Sequence, residues 1–178
     1  MNLVLIGFKA SGKSTLGRAL ATHLKKDFCD MDSLIEDSYA RDNKTRLTCR
    51  EIFCKMGEKY FRGLEEMVLL TMQTRKKTVI ASGGGVVCVQ NATALLQSCG
   101  HVIFLDTSQE VLASRLELLQ SPLFGRGEWR ALLEQRRPMY REAAHTIFPV
   151  PADQPPAEIA QNLAGLLARS VPLPIRYQ

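Results

Sequence analysis

Short, uninterrupted apolar runs alternate along the whole chain with longer segments of helical period. Leu3-Val4-Leu5-Ile6 and Val102-Ile103-Phe104-Leu105 are apolar at every position rather than every second one, the pattern of strands buried on both faces of a parallel sheet. They predict strands at 2–7 and 101–106, joined by 28–30, 78–82 and a weaker 146–150. Between them, 13–25 carries Leu16, Ala19, Leu20 and Leu24 on one side, and 57–74 carries Phe61, Leu64, Val68 and Met72 inward, at the steps of amphipathic helices. Segments 91–98, 109–119, 129–142 and 156–169 complete the helical set. Strand and helix in alternation predict an α/β fold, a five-stranded parallel sheet flanked by helices. No repeat or interdomain linker interrupts the pattern, so a single domain over 1–178 is expected; the Pro-rich stretches 148–156 and 171–178 read as a late loop and a loose tail.

Composition narrows the class. The 178 residues are 46% hydrophobic and 23% charged, and 23 Lys and Arg against 18 Asp and Glu leave a net charge of +5. That excess is too mild for a nucleic-acid-binding tail. No run approaches the ~20 apolar residues of a membrane span, and the first apolar run is too short for a signal-peptide core and has no basic leader. The expectation is a cytoplasmic monomer without nucleic-acid or membrane partners. Cys29, Cys49, Cys54, Cys88 and Cys99 are odd in number and form no C-x-x-C pair, which predicts reduced, mostly buried thiols and no thiolate zinc site. His23, His101 and His145 are scattered, none at ligand spacing from another.

The strongest chemical feature lies between the first predicted strand and helix. Gly7-Phe8-Lys9-Ala10-Ser11-Gly12-Lys13-Ser14 fits G-x-x-x-x-G-K-[ST], the loop whose backbone N–H groups cradle phosphates ahead of a helix N-terminus. Lys13 would bridge the terminal phosphates and Ser14 would ligate Mg²⁺. A nucleoside triphosphate site follows. A guanine-binding N-K-x-D element is missing, since Asn43-Lys44 continues as Thr45-Arg46, and a motor ATPase would need more chain for its coupling elements. A compact kinase with a second small substrate remains.

Asp30 and Asp32 stand at the end of the second predicted strand, two residues apart, so their side chains are expected to lean to one side of the sheet at its ligand-binding end. One could hold the metal's water shell while the other orients or deprotonates an acceptor hydroxyl. Alternatively, Asp32 caps a helix beginning at 33–34. Arg62, with Glu65 and Glu66 three and four residues on, would in isolation be an exposed salt-bridge face. Ser82-Gly83-Gly84-Gly85 directly follows the third strand, where bare backbone admits a close ligand or simply makes a flexible turn.

Taken in order, the loop at 7–14, Asp30-Met31-Asp32, Gly57-Glu58-x-x-Phe61-Arg62-x-x-Glu65, Gly83-Gly84-Gly85 and Arg136-x-Pro138-x-Tyr140-Arg141 resemble the blocks of shikimate kinases over about 2–168. The resemblance implies a three-layer P-loop kinase fold with a mobile lid at about 119–128 and a substrate-binding region at about 31–62. It implies transfer of the ATP γ-phosphoryl group to the 3-hydroxyl of shikimate, in aromatic amino-acid biosynthesis. It gives catalytic roles to Lys13 and Asp32, and ATP contacts to Gly7, Lys9, Ser11, Gly12, Lys13, Ser14 and Thr15. The adenine would lie against Arg115 and the loop near Pro155. Asp32, Arg62, Gly83, Gly84, Gly85 and Arg136 would bind shikimate, the two arginines clamping its carboxylate as bidentate forks do. Ser14, and Asp30 through water, would hold Mg²⁺.

The lid departs from that pattern. Where shikimate kinases carry Arg-Pro-Leu-Leu, this chain has Ser121-Pro122-Leu123-Phe124, with Ser121 at the arginine's place. Arg126, between Gly125 and Gly127, is the expected catalytic substitute, with the glycines as hinges. The stretch 41–51 is basic and polar and leaves the edge of the substrate region unplaced. Two readings stay beside shikimate phosphorylation: a related gluconate-type small-metabolite kinase, and an inactive nucleotide-binding regulatory module. The basic excess is expected to gather at the active site, on Lys13, Arg62, Arg115, Arg126 and Arg136.

Overall fold

The computed structural model describes residues 1–118 and 128–170. Among them the chain runs β1 (Leu3–Ile6), α1 (Lys13–Leu24), β2 (Asp27–Asp30), α2 (Met31–Asn43), α3 (Cys49–Met56) and α4 (Glu58–Met72). It continues through β3 (Thr78–Ala81), a 3₁₀ turn at Val86–Cys88, α5 (Ala92–Cys99), β4 (His101–Asp106), α6 (Gln109–Leu118), α7 (Glu128–Ala143), β5 (Thr146–Pro149) and α8 (Pro156–Ser170). The strands form one parallel sheet in the order β2-β3-β1-β4-β5. After β1 the chain moves to one edge and after β3 it crosses to the other, which opens a crevice beyond the carboxyl ends of the central strands.

Successive side chains of a strand face opposite ways, and here both ways are covered. Val4, Ile6, Ile80, Val102 and Phe104 pack under the layer that holds α2, α4, α5 and α7. Leu3, Leu5, Val79, Ile103 and Leu105 pack under α1 and α8. That gives three layers, as expected. The buried face of α1 is Leu16, Gly17, Leu20 and Ala21, while Ala19 and Leu24 are only partly covered. Gly17 sets this register, because a Cβ there would lie 2.7 Å from the Phe28 ring.

Two helices add to the six of the expected set: α2, which the sequence offers only as the alternative of a helix beginning at 33–34, and α3. Asp30 ends β2 and caps α2, its Oδ1 accepting the Asp32 N–H at 3.1 Å. Asp32 therefore lies in the first helical turn, neither beside Asp30 on the strand nor acting as the cap itself. The polar stretch 41–51 holds the end of α2 and the start of α3, whose Thr48 and Glu51 form a reciprocal capping box. Among the cysteines, Cys29 and Cys99 are buried, Cys49 and Cys88 half-buried and Cys54 exposed, so fewer are buried than expected. His101 and His145, distant in sequence, stack with ring centroids 5.0 Å apart. The expected lid, apart from Glu128, and the tail at 171–178 lie outside the described residues. No helix of the described residues is long and apolar enough to cross a membrane.

Candidate active site

The segments following β1, β2 and β3 meet at the carboxyl end of the sheet. The first turns back tightly: Gly7 has φ +149° and Gly12 φ +94°, and Ala10 adopts φ +66° despite its Cβ. A Cβ on Gly7 would lie 3.0 Å from Leu105 O and Ser11 Oγ. The loop thus encloses a nest with no room for side chains at its base. Lys13 is buried within it and donates to Gly7 O at 2.9 Å and Phe8 O at 2.8 Å. Burial lowers its pKa to about 8, opposed by the charges of Asp32 and Asp30. Arg115 of α6 closes the outer side of the loop by donating to Ala10 O at 3.1 Å.

Ser14, in the first turn of α1, donates to Asp30 Oδ2 at 2.6 Å. This pair couples β2 to the phosphate loop through one hydroxyl and one carboxylate. Hard oxygen donors so few in number suit a cation that keeps waters and phosphate ligands, as Mg²⁺ does. Among the described residues no group of three or more His, Cys, Asp or Glu could hold a metal by itself. Asp32 faces the same cleft, and burial raises its pKa above the usual carboxylate range, against the pull of Lys13.

The glycine turn after β3 is tightly overlain. A Cβ on Gly83 would lie 2.8 Å from Glu65 Oε1 and 3.0 Å from Asp32 Oδ1, and one on Gly84 3.1 Å from Lys9 N. A Cβ on Gly85 would collide with the Arg62 guanidinium. Arg62 is not on an exposed face: it is mostly buried, paired with Glu65 and, at 3.0 Å, with Glu58, and makes no bridge to Glu66. From α7, Arg136 Nη1 donates to Gly84 O at 3.3 Å and the Tyr140 hydroxyl donates to the same oxygen. Among the described residues Arg136 Nε is buried with no hydrogen-bond partner, as is Nε of the neighbouring Arg137.

These groups line one cavity of about 540 Å³ containing Lys9, Lys13, Ser14, Thr15, Asp32, Arg62, Gly83, Gly84, Gly85 and Arg136. An adjoining cavity of about 460 Å³ shares Ala10, Gly12 and Thr15 and is walled by Arg115, Val150, Gln154 and Pro156. Pro155 is itself exposed, and its neighbours supply the wall; its carbonyl accepts the N–H groups of Glu158 and Ile159 at the start of α8. The expected basic gathering is therefore split, with Arg115 in the second cavity. Arg126, the expected lid substitute, lies outside the described residues. Arg50, Cys49 and Phe53 of α3 also line the larger cavity, and the sequence reading assigned none of them a role. The Thr48-x-x-Glu51 box was the signal that would have placed their helix.

The family model for shikimate kinase matches residues 9–168. A shikimate kinase of Nitratidesulfovibrio vulgaris is 37% identical over 174 residues, 93% of this chain and 95% of its own length. The solved shikimate kinase of Acinetobacter baumannii in complex with shikimate superposes with a TM-score of 0.83 at 32% identity, covering 97% of this chain and 95% of that one. A gluconokinase of Sinorhizobium meliloti 1021 reaches a TM-score of 0.56 at 22% identity over 94% and 91%, a likeness of fold alone.

Proposed function

The chain belongs to the shikimate kinase family, and on that premise we propose that it transfers the γ-phosphoryl group of ATP to the 3-hydroxyl of shikimate, giving shikimate 3-phosphate. The observation that carries this reading is the larger cavity, which Lys13 of the phosphate loop, Asp32 and Arg136 line together. Phosphoryl transfer asks mainly for positioning and charge neutralisation.

In this reading the loop N–H groups of 7–15 and the Lys13 ammonium take the β- and γ-phosphates, with the nucleotide base in the Arg115 cavity. Lys13 leaves its carbonyl partners for phosphate oxygens when nucleotide enters. Asp32 accepts a hydrogen bond from the acceptor hydroxyl, orients it along the line of attack and takes its proton. Arg136 and Arg62 hold the substrate carboxylate, and the Gly83–Gly85 backbone lets the ring approach. Ser14, and Asp30 through water, would hold Mg²⁺, which would supply neutralisation of the phosphate charge.

A coupled ADP-release assay with MgATP and shikimate, quinate or gluconate tests the reading. Turnover dependent on shikimate is expected; turnover with gluconate alone would move the chain to the related sugar-acid kinases. No turnover with any acceptor, together with retained nucleotide binding, would leave a regulatory module.

A further inference from the structure

Three arginines line the larger cavity, and their partners differ. Arg62 is held between Glu58 and Glu65. Arg136 gives one N–H to Gly84 O, and its Nε has no partner among the described residues. Arg50, exposed in the first turn of α3, has neither a hydrogen bond nor an ion pair among the described residues.

The base of the Arg50 side chain is nevertheless fixed. The Thr48–Glu51 box locks the turn from which it leaves. Cys49, its neighbour, is tied to α2 twice: its N–H donates to Glu36 Oε1 at 3.0 Å and its Sγ to Asp32 O at 3.3 Å. The start of α3 is therefore anchored to the turn that carries Asp32. Lys9 of the phosphate loop lines the same cavity, where burial and then the Arg50 charge lower its pKa while the Asp32 charge opposes them. Two cations brought near each other in a cleft repel, and an anion lying between them relieves the repulsion.

In the proposed reaction two anions meet in this cavity. The carboxylate belongs to the wall made by Arg136, Arg62 and the glycine turn, whereas Lys9, Lys13 and Asp32 surround the place where phosphorus changes hands. We propose that Arg50 acts with Lys9 as an acceptor-side phosphate clamp, engaging the phosphoryl group as it arrives and holding it on the product. The inference rests on the shikimate kinase reading and names a further binding residue of that site. The bond changes are those of ordinary transfer: the acceptor O–P bond forms as the bridging O–P bond of ATP breaks, the hydroxyl proton passes to Asp32, and Arg50 gives up no proton.

Shikimate and shikimate 3-phosphate differ only by that phosphate, so they separate this role from carboxylate binding. Calorimetric titration of each into wild type, Arg50→Ala and Arg50→Lys is the test, together with single-turnover phosphoryl transfer. Arg50→Ala is expected to lose about tenfold in affinity for shikimate 3-phosphate and less than about twofold for shikimate, the scale of one charge-assisted contact. Transfer should slow several-fold, and Arg50→Lys should recover much of both. Equal losses for the two ligands would place Arg50 on the carboxylate, and undiminished product affinity would make it a solvated surface cation; either overturns the proposal. Wild-type turnover of shikimate is measured first, and its absence would sink the family reading whatever Arg50 does.

Discussion

Glu65 lies one turn beyond Arg62 on α4, is 1% exposed, and holds the Arg62 guanidinium against the glycine turn at Gly85. Burial pushes the Glu65 carboxyl up, and the Arg62 charge opposes the rise. A buried carboxylate of this kind is retained at a cost unless its cation stays in place. The pair therefore reads as a device that positions Arg62, with Glu58 as its exposed outer brace.

Removing Glu65 should damage both fold and site. Glu65→Ala leaves Arg62 without its buried partner and is expected to cost about 3 kcal/mol and to raise KM for shikimate more than KM for ATP. Glu58→Ala, removing the exposed brace, should cost under about 1 kcal/mol. Urea unfolding and steady-state kinetics on both variants check the pair; similar losses in the two would contradict the positioning role.

Asp32→Asn keeps the shape of the side chain while removing its capacity to take a proton. Turnover should fall by roughly 10²-fold or more, with a smaller change in shikimate affinity. Because burial raises the Asp32 pKa, the acid limb of kcat/KM for shikimate should lie above the ordinary carboxylate range. A limb unchanged in Asp32→Asn would assign it to another group.

The sheet and its phosphate loop were legible because each depends on local pattern. Continuous apolar runs mark two-sided burial, and G-x-x-x-x-G-K-S after such a run leaves few alternatives. What escaped depends on contacts distant in sequence. Arg62 and Glu65 looked like a surface pair because helical spacing shows which side chains meet and not that β3's glycine turn covers them. Asp30 could be paired with Asp32 by counting, but its service as both N-cap and Ser14 acceptor needs the strand end and α1 in place. The sequence around α3 was readable and went unread: Thr48 and Glu51 spell its capping box, while the low apolar content of 41–51 hid it. His101 and His145 meet because β4 and β5 pair, which spacing along the chain does not reveal.

Lys13 predicts a pH dependence on the opposite side of neutrality. Its pKa in the unliganded enzyme is lowered to about 8 from the usual lysine value, so the ammonium that should meet the phosphates is lost as pH rises past that point. Bound phosphate favours the charged form and raises the pKa again. Nucleotide affinity should therefore weaken progressively above about pH 8, with proton uptake on binding there. Calorimetry in buffers of different ionisation enthalpy measures that uptake. Lys13→Met should lose the uptake together with most of the turnover.

The stacked histidines predict how stability responds to acid. His145 Nδ1 accepts the Val102 N–H at 2.9 Å, and His101 Nε2 lies 2.8 Å from Thr146 Oγ1. Burial, and then the neighbouring His145, lower the His101 pKa in the folded protein. An unfolded histidine titrates near ~6.5, so below that pH the unfolded chain binds more protons than the folded one. The contribution of His101 is thus fully present above ~6.5 and is lost as pH falls through its lower folded value. Because the stack sits at the amino end of β4, away from the cavity at the carboxyl ends, this loss should precede any effect on ligand groups. His101→Gln cannot titrate, and should flatten the decline in urea-unfolding stability between about pH 7.5 and 5 while leaving KM for both substrates unchanged. A decline as steep in His101→Gln as in wild type would place the acid sensitivity elsewhere.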